Sequence, residues 1–344
     1  MKKKNAFVKR RTNALRFADF GAMLVFSGDF EKMGEDFLYF TGKHIDSSIL
    51  LLRKKCPPIL FSSKLNARLA GKTGIRTVIY EKKKPFLLIV KFLKGVKQIG
   101  VDFSFISHAQ YRRLKLGLKR KKFLDCGKKM LLQRMVKEKG EIRQIARAQE
   151  MARKIITGIK LSKNMTEQDV ARIILQKTLK AGCTPAFPPI VASSSSSSNP
   201  HYPPQNKKLK GIVMIDYGVK FGDYCSDMTR CFFLGKCEKE RALYAKLQEI
   251  SREIYSAIPK LKYVRQLDAL YLSLFKKHSL PAPIHLLGHG VGLELHEYPS
   301  IRSRARERIC PGMVFTIEPG AYLKRYGARY ENLIYFDGRK VKVL

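Results

Sequence analysis

The sequence predicts an α+β fold in two units, an N-terminal α/β unit over residues 10–130 and a larger C-terminal unit over 135–344. Three observations carry this. A chain of 344 residues exceeds what one hydrophobic core usually serves. The first third holds short apolar runs separated by charged or turn-forming stretches, the pattern of a sheet with helices. An amphipathic helical pattern separates that region from a second set of strand-like runs.

Taken in order, the chain opens on MKKKNAFVKRRTNALRF, where Lys9, Arg10, Arg11 and Arg16 interrupt any apolar core, so it does not read as a signal peptide. Apolar runs follow at Ala22–Ser27, Ile49–Leu52, Ile59–Ser62, Thr77–Tyr80 and Pro85–Leu93. Ile142, Ile145, Ala152, Ile155, Ile156 and Ile159 recur at helical spacing, with Arg143, Arg147, Glu150 and Arg153 on other faces, which predicts a helix with one buried stripe. Thr166-Glu-Gln-Asp places a hydroxyl three residues before a carboxylate, a capping-box signal for a second helix. Residues 193–198 are six consecutive serines, which on composition alone read as a flexible linker. The runs 211–219 and 224–234, joined by Lys220-Phe221-Gly222-Asp223, predict a β-hairpin. Strand alternation then puts Cys225, Asp227, Thr229 and Cys231 on one face, and Met214 and Asp216 together on the neighbouring strand. A third helix is predicted over Lys239–Ala257.

Five residues able to ligate metal lie in order along the second unit: Asp216 in GIVMIDYG, Asp227 in YCSDMTR, His289 in LLGHGVGLELHE, Glu318 in VFTIEPGAY and Glu331 in ARYENL. Each is set in apolar or glycine-rich sequence. Unpaired carboxylates buried there would be costly, and a pair of cations removes that cost. Four carboxylates and one imidazole suit Mn, Co, Fe or Zn, and the absence of thiolates argues against a structural zinc.

The strings IDYGVKFGDYCSDMTR, GHGVGLELHEYP, TIEPG and RYEN resemble the metallopeptidases of the pita-bread fold, the group that includes methionine aminopeptidase, prolidase, aminopeptidase P and the non-peptidase creatinase. FPPIVAS followed by Pro200-His201 resembles the family segment leading to a substrate-side histidine. IGVDFSFISHAQYRRLKLGL, at 99–118, resembles the creatinase-like N-terminal domain of prolidases and aminopeptidase P. The implied architecture is a creatinase-like α/β domain followed by a pita-bread catalytic domain.

The resemblance implies roles. Asp216 would chelate one of two divalent ions, Asp227 and Glu331 would bridge both, and His289 and Glu318 would complete the second. A bridging hydroxide would be the nucleophile. Glu318 would shuttle its proton to the leaving nitrogen, while His201 and His296 would hold the scissile carbonyl. Arg329 would orient a ligand carboxylate, and Thr229 would support Asp227. Among the other histidines, His285 reads as a wall residue, and His44, His108 and His278 carry no signal of chemistry.

Composition adds an oddity. Lys+Arg number 68 against 28 Asp+Glu, a formal net charge of +40, with clusters at Lys2–Lys4, Lys9–Arg11, Lys82–Lys84 and Lys119–Lys122. Such a field attracts polyanions at low salt. The basic residues are nevertheless scattered, with no recognisable nucleic-acid module, so nucleic-acid binding is not the favoured reading. No apolar run reaches the length of a membrane span. Seven cysteines without a CxxC pair fit thiols in a cytoplasmic protein. Cys225 and Cys231 on one strand would lie about 20 Å apart, too far to share an ion.

The expected function is hydrolysis of the bond between an N-terminal residue and proline, in dipeptides or in longer peptides, by a homodimeric enzyme. The alternative is a non-peptidase of the same fold, either a creatinase-like amidinohydrolase or a basic nucleic-acid-binding pseudoenzyme. The complete ligand set speaks against the pseudoenzyme.

Overall fold

The structure is a computed structural model that describes residues 2–16, 18–29, 32–81 and 85–344. The Lys82–Lys84 cluster and the side chains of Lys2–Lys4 lie outside the described residues. The chain divides into two compact units, Met1–Gln133 and Arg134–Leu344.

The first unit is built on a mixed six-stranded sheet. Its strands are β1 (Ala22–Phe26), β2 (Ile49–Arg53), β3 (Cys56–Ser63), β4 (Arg76–Tyr80), β5 (Gln98–Val101) and β6 (Lys122–Asp125), in the order β4-β3-β2-β1-β5-β6. The pairs β1–β2 and β2–β3 are antiparallel, while β3–β4, β1–β5 and β5–β6 are parallel. Helices α1 (Lys2–Arg16), α2 (Glu35–Thr41), α3 (Ala67–Gly71), α4 (Pro85–Ile89) and α5 (His108–Gly117) complete it, and α6 (Gly127–Met135) runs on into the first two residues of the second unit. One face of the sheet packs Leu24, Leu51, Phe61, Ile99 and Val101 against Ile89, Leu93 and Leu114. The apolar run 85–93 forms α4 and a 3₁₀ turn at Val90–Phe92, supplying a lid for that core and no strand.

The second unit begins with the long helices. Helix α7 (Lys139–Thr157) buries Ile145, Ala152, Ile155 and Ile156 of the predicted stripe, together with Glu141, Ala148 and Gln149, while Ile142 is half-buried. Helix α8 (Glu167–Lys180) starts at a capping box in which Thr166 Oγ1 accepts from Asp169 N–H and the Asp169 carboxylate accepts from Thr166 N–H. Strands β7 (Thr184–Pro185) and β8 (Ile190–Ser193) lead into the serine run. Helices α9 (Glu238–Ala257) and α10 (Arg265–Lys277) follow the hairpin.

The hairpin forms in four pieces: β9 (Gly211–Asp216), β10 (Val219–Phe221), β11 (Tyr224–Cys225) and β12 (Thr229–Leu234). Asp216 pairs with Thr229, and Phe221 with Tyr224 around the turn, so one register runs its whole length. Asp227 sits in the irregular stretch between β11 and β12, where a regular strand was expected. The facing prediction survives this break. Cys225 Sγ reaches Leu293 O, Asp227 meets His289, Thr229 bonds Glu331 and Cys231 Sγ reaches Arg329 O, all on the side of the C-terminal strands.

Those strands are β13 (His289–Gly290), β14 (Glu297–Ser300), β15 (Val314–Ile317), β16 (Gly320–Tyr322), β17 (Gly327–Arg329), β18 (Asn332–Phe336) and β19 (Val341–Val343). Five form an antiparallel sheet, β14-β13-β15-β18-β19, and β16 pairs with β17. The core of this unit gathers Ile155, Ile156, Val170, Ile174, Val213, Ile215 and Tyr217, and a second cluster joins Ile145, Val291, Val314 and Leu333. Burying side chains of this size stabilises by roughly 1.5–3 kcal/mol each.

The serine run is no linker. Ser194–Ser198 form a 3₁₀ helix in which Ser197 Oγ donates to Ser194 O at 2.6 Å and Ser198 Oγ to Ser195 O at 2.7 Å. Small hydroxyls that bond back to the preceding turn hold such a segment without a hydrophobic face. Buried Glu167 accepts from Ser193 N–H at 2.9 Å and Gln205 N–H at 3.1 Å, closing the loop that carries His201.

Candidate metal centre

All five donor residues converge on one buried locus. Asp216 ends β9, Asp227 occupies the hairpin break, His289 opens β13, Glu318 follows β15 and Glu331 lies between β17 and β18. His289 Nε2 stands 3.5 Å from both Asp227 Oδ2 and Glu318 Oε1. One ligand atom each from Asp227, His289 and Glu331 lies within 4.8 Å of the others. His289 Nδ1–H donates to Gly290 O at 3.1 Å, which turns Nε2 and its lone pair toward the carboxylates.

A ring of hydrogen bonds orients the acids. Arg329 Nη2 donates to Asp216 Oδ2 at 2.6 Å and Arg329 Nε donates to Thr229 Oγ1 at 2.9 Å. Thr229 Oγ1 in turn donates to Glu331 Oε2 at 2.7 Å, so its carboxylate partner is Glu331 and not the expected Asp227. Thr316 Oγ1 accepts from His289 N–H and donates to Glu318 Oε1 at 3.1 Å.

The electrostatics are those of acids with too few counter-charges. Burial raises Asp216 against the opposing pull of Arg329. Burial, followed by repulsion from Glu331, drives Asp227 and Glu318 well above the usual carboxylate range. Glu331 is pushed up to about 7 by burial and by Asp216. Burial pulls the Arg329 guanidinium down, but Tyr322, Asp216, Glu331 and Glu318 outweigh it and raise it well above its ordinary value. His289 falls to about 4, through burial and then His296, and so is neutral as a ligand must be.

A pair of cations fits this donor set. Asp216 Oδ1 is buried with no hydrogen-bond partner, an acceptor aimed at nothing in the protein. Four acids and one neutral imidazole offer the hard-to-borderline donors that Mn, Co, Fe and Zn take.

The substrate-side residues stand at the rim. His201 is exposed, its backbone N–H held by Asn199 Oδ1, and it lies within electrostatic reach of Asp216, His285 and His296. His296 is exposed, with its ring edge-on to His289 at 4.3 Å. Arg329 Nη1 donates to Tyr322 Oη at 2.7 Å, and Tyr322 Oη meets His285 Nε2 at 3.0 Å. His285 Nδ1 bonds Leu286 O and approaches Glu318 Oε2 at 3.9 Å, a wall position as expected; burial lowers it to about 4.

Several supporting residues escaped the sequence. Glu297, directly after His296, is buried between Arg134 Nη2 at 2.6 Å and Lys137 Nζ at 2.9 Å. It also packs where a side chain at Gly292 would come within 2.5 Å of its Oε2, so that glycine lets the His296 loop close over it. Burial alone would raise Glu297, yet Lys137 and Arg134 hold it down at about 2. The string LHEYP contains this acid, but nothing local marks its partners 160 and 163 residues earlier.

Comparison with known proteins agrees with this geometry. Residues 142–337 match the model of metallopeptidase family M24, and residues 8–136 match the creatinase/prolidase N-terminal domain. The chain is 32% identical over 311 residues to an uncharacterized peptidase of Methanocaldococcus jannaschii, covering 87% of this chain and 85% of that one. It is 30% identical over 253 residues to the Xaa-Pro dipeptidase of Pyrococcus furiosus, covering 72% of each. The prolidase structure from Pyrococcus horikoshii superposes with a TM-score of 0.86 at 26% identity, covering 98% of this chain and 97% of that one. Membership of this family implies a dinuclear metal site. With a creatinase/prolidase N-terminal domain in front and the pita-bread peptidase domain behind it, the chain belongs to metallopeptidase family M24.

Proposed function

We propose that this protein is an exopeptidase that cleaves the bond between an N-terminal residue and proline. Asp216, Asp227, His289, Glu318 and Glu331 are the residues that would hold two divalent ions. The observation that carries the reading is the buried cluster of four mutually repelling carboxylates around a neutral imidazole. Metal ions bound there supply an activated water at neutral pH and an electrophile for the peptide carbonyl.

The protein groups perform the rest. Glu318, whose carboxyl burial and Glu331 raise well above the usual carboxylate range, is the group that would pass a proton to the leaving nitrogen. Thr316 fixes the orientation of its Oε1. His201 and His296, exposed at the rim, meet the substrate carbonyl and the charge that develops on it. Arg329 opposes the burial that raises Asp216 and holds its Oδ2 in place. The N-terminal domain and the likeness to an Xaa-Pro dipeptidase and a prolidase support proline-directed specificity.

The test is product analysis by mass spectrometry on Xaa-Pro dipeptides, Xaa-Pro-Xaa tripeptides and alanine-containing controls, with Mn or Co supplied. Release of the first residue from proline peptides alone is expected, and Asp227→Asn abolishes it. Consumption of creatine with every peptide left intact would overturn the peptidase reading.

A further inference from the structure

Gln149 lies in the middle of α7 and is 1% exposed, on the same stripe as Ile145, Ala148 and Ala152. An amide on an otherwise apolar stripe must find partners, because an unmet buried polar group costs about 1–3 kcal/mol. Gln149 Nε2 donates to the Asp227 carbonyl at 3.1 Å, and Gln149 Oε1 accepts from the Asp227 N–H at 3.1 Å. One side chain thus bonds both peptide groups of a single residue, as a neighbouring strand would.

The hairpin explains why such a partner is needed. Its register brings Gly218 opposite Asp227, between the hydrogen-bonded Tyr217–Met228 and Val219–Ser226 pairs, a position from which the Asp227 N–H and C=O face away from Gly218. The Gly218 carbonyl likewise faces outward and accepts from Ala186 N–H at 3.0 Å. A side chain on Gly218 would come within 1.9 Å of Ser226 O, so the two strands pinch together beside the gap. Asp227 therefore turns both backbone groups to the outer side of the hairpin, where Gln149 of α7 supplies the bonds that a further strand would have made.

We propose that Gln149 is a positioning residue for the metal centre: by clamping the Asp227 backbone within the hairpin break, it fixes the direction of that carboxylate and so sets the affinity for divalent metal. The inference rests on the reading of Asp227 as a shared ligand. A ligand that must reach two ions tolerates little backbone freedom, and residues that orient ligands are commonly worth 10–100-fold in affinity.

The experiment measures manganese binding to the full chain by titration calorimetry and by the electron paramagnetic resonance of free Mn²⁺. Gln149→Met keeps the volume and removes both hydrogen bonds; it should bind manganese 10–100-fold more weakly. In the metal-free protein its Asp227 amide should exchange hydrogen faster than in wild type. Ile145→Val, a small core truncation on the same helix face, serves as the control for general loosening and should leave manganese affinity unchanged. If Gln149→Met does not fold, Gln149→Leu, which also lacks both hydrogen-bonding groups, carries the same expectation. Wild-type affinity in these variants sinks the clamp while sparing the ligand assignment. A wild-type chain that takes up no manganese sinks the ligand assignment and the clamp with it.

Discussion

Arg329 donates from Nη2 to Asp216 Oδ2 at 2.6 Å, joining β17 to the end of β9 through two buried charges. The same guanidinium steadies Glu331 through Thr229, so one cation organises acids from two separate parts of the chain. Removing one partner of a buried ion pair typically costs about 3–5 kcal/mol. Arg329→Met should destabilise the chelator-treated protein by about that much, read as a lower urea midpoint. Arg329→Lys should recover only part of the loss, since an ammonium cannot fork between Asp216 and Thr229. Equal midpoints in all three proteins would show that the pair contributes nothing to the fold.

Metal loading should stabilise strongly. Binding to the folded state at 100 times the dissociation constant adds about 2.7 kcal/mol per site. Plasma mass spectrometry should find two divalent ions per chain, and chelator should lower the melting temperature reversibly. Asp227→Asn should abolish most of the metal-dependent shift. A melting curve indifferent to both metal and chelator would contradict the site.

Glu297 gives a pH signature at acid. Its folded value of about 2 lies below the ordinary 4.5, so its contribution is complete above pH 4.5 and is lost as pH falls toward 2. At about 1.4 kcal/mol per pH unit this amounts to about 3 kcal/mol. Glu297→Gln should be less stable than wild type by about that amount at pH 6, with the two proteins converging near pH 2. A gap that stays constant from pH 6 to pH 2 would rule out the ion pairs with Arg134 and Lys137 as its source.

Ser197 differs from its neighbours in the serine run. Its Oγ accepts the buried Gly327 N–H at 2.9 Å, tying the run to β17 beside Arg329. Ser197→Ala leaves that donor unmet and should cost about 1–3 kcal/mol in denaturant unfolding. Ser195→Ala, at a more exposed position, should fall within about 0.5 kcal/mol of wild type.

What could be read from the sequence follows the range of the interactions. The stripe of α7, the Thr166 cap and the hairpin register rest on neighbours within a few residues, and periodicity reveals them. The five donors were visible because each carries distinctive local wording. Gln149, Glu297 and Thr316 were not, since their partners lie 78, 160 and 27 residues away and nothing nearby marks them. The exchange of Thr229 from Asp227 to Glu331 is of the same kind: strand alternation gives the face but not which carboxylate arrives there from a distant strand. Composition misled at the serine run, because low complexity describes the residues and not the bonds they make.

The length of the serine run matters as much as its composition. A gain or loss of one serine leaves the local composition almost untouched. It would nonetheless move the hydroxyl that meets Gly327 by one position and shift His201 relative to Arg329, whose Nη1 reaches Pro200 O at 3.4 Å. A changed count thus disturbs the segment in a way its composition would not reveal, a ruler written in a single letter.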